Sequence, residues 1–184
     1  MLSKDEHYRQ IFLNSSSHKV DYTDAFEKLL PLLPDPIPLH DILSDLRYNL
    51  EIFPDAMLGE VGLDRAFRVA FDYFVHPRQL TPFTIPLNHQ LAVLEAQLDL
   101  AVELGRNVSL HSVKAQMATM DLLERMVRKH GDQWNKISID MHSCGLSAQM
   151  WVDLEVLGIL LRYAKNSQLV RKSTPTYFYP CRLS

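Results

Sequence analysis

Three short apolar runs, each carrying a residue able to hold a metal ion, constrain this chain more than any other feature. They are Leu58–Asp64 around Glu60, Val108–His111, and Ile137–His142. Runs of this length, rich in Val, Ile and Leu and bounded by turn residues, read as buried strands. The segments between them switch to helical spacing. Asn88 is placed to cap a helix whose stripe is Leu91, Leu94, Leu98 and Val102, with Gly105 as its stop. Val113 to His130 forms a second helix, with Met117, Met120, Leu123, Met126 and Val127 on one face and Gly131 after it. Ser147 caps a third through Trp151 and Leu154. Strand–helix alternation of this kind specifies a parallel α/β sheet with right-handed crossovers.

Upstream, residues 22–33 read as a short helix ending in a proline cluster. Ile42, Leu43, Leu46 and Leu50 mark another over 40–51, which Pro54 closes. Ala56 to Gly59 is expected as a strand leading into Glu60, with Gly59 and Gly62 allowing close approach of backbone or ligand. Residues 65–87 form a long aromatic connection punctuated by proline. A connection of that length shapes a substrate groove by stacking bases or packs as a lid.

His111 and His142 lie 31 residues apart, about one strand–helix unit, and Glu60 and His111 lie 51 apart, one unit plus the long connection. In a parallel sheet such residues emerge together at the carboxyl edge, where these folds keep their chemistry. Two neutral imidazoles and a carboxylate are a recurrent catalytic zinc set with a position open for water; manganese or magnesium needs more oxygen ligands. An ion held there lowers the pKa of bound water to about 7 and stabilises charge on a phosphoryl oxygen. The candidate metal ligands are therefore Glu60, His111 and His142.

The 184 residues, 47% apolar and 22% charged, suffice for one domain with a core. No apolar run reaches a membrane span, no signal-peptide pattern opens the chain, and two cysteines fit a reducing cytoplasmic or nuclear setting. Charge is uneven. Residues 1–155 hold all 22 acidic and 14 of the 19 basic residues, a net of −8, whereas residues 156–184 hold five basic residues and no acidic one. The chain thus divides into a body, 1–155, and a divergent basic tail, 156–184. The tail is a basic interaction segment or the product of an alternative exon or a shifted frame. No basic cluster in the body points independently to DNA.

The Leu58–Asp64 motif, the Asn88–Ala115 helix and strand ending in His111, and His142 with Gly145 close behind resemble the TatD family of metal-dependent deoxyribonucleases. The fungal branch of Cut9-interacting TatD-like proteins is the nearest in pattern, over roughly residues 30–155. The resemblance implies a TIM-type barrel, here partial and incomplete at both termini. It also implies a two-metal centre hydrolysing phosphodiester bonds of DNA. Glu60 would be the catalytic carboxylate bridging both metals, and His111 and His142 would complete the second position. The family's His-x-His pair is absent from this sequence, the tail offers no acidic residue, and Val113 stands where an arginine is often found. The expected site is therefore one half of a two-metal centre. The other readings are an inactive interaction scaffold with a protein partner, or a fragment without function.

The remaining chemistry-bearing residues take structural roles. Asp64 stands behind the metal ligands or is an N-cap, with the structural role the better reading. Asp140 is expected to point away from the His142 side of its strand. Cys144 is a small buried thiol. Met117, Met120 and Met126 are core, and His7, His18, His40, His76, His89 and His130 lie on the surface or in loops.

Overall fold

The computed structural model describes residues 2–13, 22–142, 144–156, 159 and the backbone of Leu161–Arg162. Its helices are Lys4–Phe12 (α1), Thr23–Leu29 (α2), Leu39–Ile52 (α3), Leu87–Leu104 (α4), Gln116–His130 (α5) and Ala148–Val156 (α6). The strands Leu58–Asp64 (β1), Val108–Val113 (β2), Ile139–His142 (β3) and Leu161–Arg162 (β4) form one parallel sheet in the order β1-β2-β3-β4. The expected alternation of strand and helix is present. Most of the tail read over 156–184 lies outside the described residues.

Burial alternates along β2 and β3, and along β1 except at the Gly59–Glu60 pair, as the pleat requires. Leu58, Val61 and Leu63, then Val108 and Leu110, then Ile139 and Met141, are buried on one face. They join Leu94, Leu98 and Ala101 of α4 and Leu122, Leu123 and Met126 of α5 in one core. Each such side chain removed from water contributes about 1.5–3 kcal/mol before entropy is counted. The opposite face carries Glu60, Gly62, Asp64, Ser109, His111, Asp140 and His142, all less buried. Apolar residues fix which face the helices cover, so they also fix which face carries the polar groups.

Gly105 ends α4 in the left-handed conformation (φ 63°), and its amide donates to Ala101 and Val102, as its position in the sequence predicts. Arg106 then ties the layers together, donating from Nη2 to the Leu50 carbonyl at 2.9 Å and from Nη1 to that of Pro54. Those carbonyls lie at the end of α3, where a cation is favoured.

A second core lies under the long connection. Phe12, Phe26, Leu29, Val69 and Phe83 pack together, with Phe71 and Ile85 against them. Residues 69–71 and 79–83 pair antiparallel, through Thr81 N to Val69 O (2.8 Å) and Phe71 N to Gln79 O (3.0 Å). The segment 65–87 is thus a folded hairpin with one packed side. Phe67, Tyr73 and Phe74 remain on its other, exposed side.

Several expectations need correction. Helix α1 was not read from the sequence, although Ser3 and Glu6 form a capping box at its start. Asn88 lies inside α4, which begins one residue earlier after Pro86. Glu60 does not end its strand: β1 starts at Leu58 and runs on to Asp64. Met117 is 66% exposed, because the buried face of α5 runs through Thr119, Met120, Leu122, Leu123 and Met126 and Met117 lies off it. Asp140 shares a face with His142, since residues two apart in a strand point the same way. His130 is mostly buried, with Nε2 2.7 Å from Asp99 Oδ1.

Candidate metal centre

Register sets the levels of the site. His111 pairs with His142 and with Gly62, so the two imidazoles stand side by side at one height, ring centroids 5.8 Å apart. Glu60 is held differently. Leu58 pairs with Val108 and Val61 with Leu110, so Gly59 and Glu60 together face Ser109 in a bulge. Bulges re-aim a side chain next to a site. Here the bulge sets Glu60 one pleat below the imidazoles, with its side chain reaching up to them.

Gly62 explains why β1 can lie this close. Its φ is 157°, and a Cβ built there would lie 1.9 Å from the carbonyl oxygen of His111. Only glycine fits between β1 and the strand carrying His111.

Oε1 of Glu60 is 2.7 Å from Nε2 of His142 and 2.9 Å from Nδ1 of His111. His111 Nδ1 is buried, and its contact with Glu60 lacks the alignment of a hydrogen bond. The Glu60 side chain is 56% exposed, yet its carboxyl is held below the usual 4.5. Hydrogen bonding from His142 is the main cause, and the charges of both imidazoles add to it against some desolvation.

The second nitrogen of each imidazole also faces oxygen. Ser109 Oγ is 3.2 Å from His142 Nδ1, and Asp64 Oδ2 is 3.9 Å from His111 Nε2, a charge-pair distance. Metal-binding histidines are oriented in this way through the nitrogen that does not bind. One ligand atom from each of Glu60, His111 and His142 lies within 4.8 Å of the others. Two imidazole nitrogens, one of them a buried atom without a hydrogen bond, and an ionised carboxylate are a donor set that fits a divalent ion.

Asp64 has the structural role expected of it. Its Oδ1 accepts from the amides of Ala66 (2.7 Å) and Phe67 (3.0 Å), turning the chain out of β1. Gln90, unnoticed in the sequence, locks that turn. It accepts from the Asp64 amide and donates to the carbonyls of Asp64 and Ile85. Ser109 was also unnoticed, although its position two residues before His111 puts it on the same face. Cys144 is buried as expected. A cleft of about 600 Å³ opens beside the site, lined by Glu60, Asp64, Phe67, Ile85, Gln90 and His111.

No protein-family model matches the chain. It is 38% identical over 93 residues to the Cut9-interacting protein scn1 of Schizosaccharomyces pombe, covering 48% of this chain and 28% of that protein. It is 27% identical over 124 residues to an uncharacterized deoxyribonuclease of Saccharomyces cerevisiae, covering 65% of this chain and 37% of that one. The chain thus spans about a third of the length of the curated relatives it matches. One relative is named for an interaction with Cut9 and the other as a deoxyribonuclease, and the chain's similarity to them bears out the resemblance carried by the Leu58–Asp64 motif, His111 and His142.

Proposed function

We propose that this chain is a TatD-like, divalent-metal-dependent hydrolase of phosphodiester bonds in DNA. Its sheet would correspond to consecutive strands of a TIM-type barrel, within a body of residues 1–155 followed by a basic tail. The observation that carries the reading is the meeting of Glu60, His111 and His142 on one face of three adjacent parallel strands. His111 would hold the ion through Nδ1, His142 through Nε2 and Glu60 through Oε1. Zinc is favoured by the two nitrogens, and manganese or magnesium would need further oxygen ligands.

The ion, when bound, supplies an activated water and a counter-charge for the phosphoryl oxygens. The chain's own residues do the rest. Glu60 stays ionised at neutral pH, leaving Oε2 to accept a proton from water. With the ion bound, Ser109 would accept the Nδ1 proton of His142, so that Nε2, which otherwise donates to Glu60, offers its lone pair to the ion. The cleft beside His111 receives the substrate.

Elemental analysis of the purified chain tests the reading, with about one zinc or manganese per chain expected and lost in His142→Ala. Chelator-sensitive release of nucleotides from single-stranded DNA, abolished in Glu60→Ala, completes the test. Well-folded protein without metal or hydrolysis would sink the reading.

A second reading is favoured by the name of one relative, which describes an interaction with Cut9. On that reading the chain is a protein-binding scaffold, and a stable complex indifferent to Glu60→Ala would establish it. A cytoplasmic or nuclear setting suits either. No helix among the described residues is long and apolar enough to cross a membrane.

A further inference from the structure

Phe67 is an exposed ring held in place. It is 41% exposed and lines the cleft that Glu60 and His111 also line, although the Val69–Phe83 core lies beside it. Asp64 Oδ1 fixes its amide at 3.0 Å, and the Arg65 amide donates to Val113 O at 3.0 Å, tying the start of the hairpin to β2. Tyr73, 39% exposed, lies nearly parallel to Phe67, at 11° with centroids 6.3 Å apart. The Arg78 guanidinium sits 5.7 Å from the Tyr73 ring centre, and its Nε donates to the Tyr73 carbonyl at 3.2 Å.

Charge at this place departs from the rest of the body. Residues 65–78 carry Arg65, Arg68 and Arg78 against Asp72 alone, within a body of net charge −8. Arg68 is anchored to the Thr81 carbonyl through Nη2 (2.8 Å) and Nε (3.2 Å), so its charge is fixed on the hairpin. Leaving aromatic rings in water costs free energy that packing them would recover. Two near-parallel exposed rings, one with the Arg78 guanidinium against it, on a hairpin of net positive charge offer stacking to a planar group and attraction to an anion.

We propose that Phe67 and Tyr73 form a stacking platform for a nucleobase of a single-stranded polynucleotide, with the hairpin arginines holding its phosphates beside the Glu60–His111–His142 site. This rests on the hydrolase reading for its direction, since it places a base next to the bond that site would cleave. A duplex, whose bases stack on one another, does not offer a free face to the platform.

The test compares binding, without hydrolysis, of a fluorescein-labelled oligothymidine and an abasic oligomer of equal length, in chelator. The full chain is expected to bind oligothymidine about 5- to 100-fold more tightly, the range that stacking of a base supplies. Phe67→Ala should remove that preference and leave abasic binding unchanged, while Phe67→Trp should keep it. Equal binding of both oligomers, an undiminished preference in Phe67→Ala, or no binding of either overturns the proposal. Nucleotide release with metal restored is scored separately. A base preference in a chain that hydrolyses nothing leaves the platform standing and sinks the hydrolase alone. Hydrolysis without preference does the reverse.

Discussion

Nε2 of His142 stands 2.7 Å from Oε1 of Glu60, although β3 and β1, which carry them, are separated in the sheet by β2. Neighbouring strands lie about 4.8 Å apart, so the two side chains meet by leaning across the strand between them. The β2 residue at the level of the bulge is Ser109, small enough to be crossed, and its hydroxyl lies 3.2 Å from His142 Nδ1.

Ser109→Ala keeps the space and removes the acceptor. The expected result is an unchanged unfolding midpoint and metal affinity lower by about 10- to 100-fold, as for other groups that orient a ligand. Competition against a chromophoric chelator measures it. Ser109→Leu should abolish metal binding in folded protein, because the larger side chain fills the crossing point. Metal affinity equal to wild type in both variants would show that Ser109 orients nothing.

Glu60→Gln keeps the shape of the side chain and removes its charge. On the proposed role, hydrolysis of single-stranded DNA should fall by roughly 10²- to 10⁴-fold, the usual contribution of a positioned proton acceptor. Single-turnover rates at saturating metal separate this from weakened metal binding. A variant as fast as wild type would remove Glu60 from the chemistry.

The same substitution reads out in stability when metal is absent. The Glu60 carboxyl is held below 4.5, chiefly by hydrogen bonding from His142. A carboxylate depressed in the folded state contributes stability that is present above its unfolded value and lost as pH falls through its folded value. Wild type in chelator should therefore lose unfolding free energy faster than Glu60→Gln as pH drops below about 4.5. Denaturant midpoints at several pH values show this as a difference in slope, and parallel slopes would contradict it.

What the sequence made legible follows from which signals are periodic. Helices α2 to α6 and strands β1 to β3 are readable because apolar spacing reports burial directly. The convergence of Glu60, His111 and His142 was readable because parallel strands bring their residues to one side. The bulge at Gly59–Glu60 is marked only by the single broken step from Leu58 to Val61 in an otherwise alternating run, too short a signal to set the register. Helix α1 is hard to read because its stripe, Tyr8, Ile11 and Phe12, spans little more than one turn and packs on residues distant in sequence. The hairpin within 65–87 was read only as a connection, because its apolar residues pack on helices distant in sequence.

Gly62 and Gly105 both have positive φ, 157° and 63°, but their surroundings differ. A Cβ at Gly105 would meet nothing within 4 Å, so Gly105→Ala costs only the left-handed backbone, about 1–2 kcal/mol. At Gly62 the added carbon would lie 1.9 Å from His111 O, inside the contact between β1 and β2. Relief would require the strands to separate, which displaces His111 and strips Leu63 and Leu110 of their packing. Gly62→Ala should therefore cost about 3 kcal/mol or more and abolish metal binding even in the fraction that folds. Paired urea titrations with metal analysis of the folded fraction decide the matter. Equal losses in the two variants, with metal retained, would mean that β1 does not rest on β2 at the level of His111.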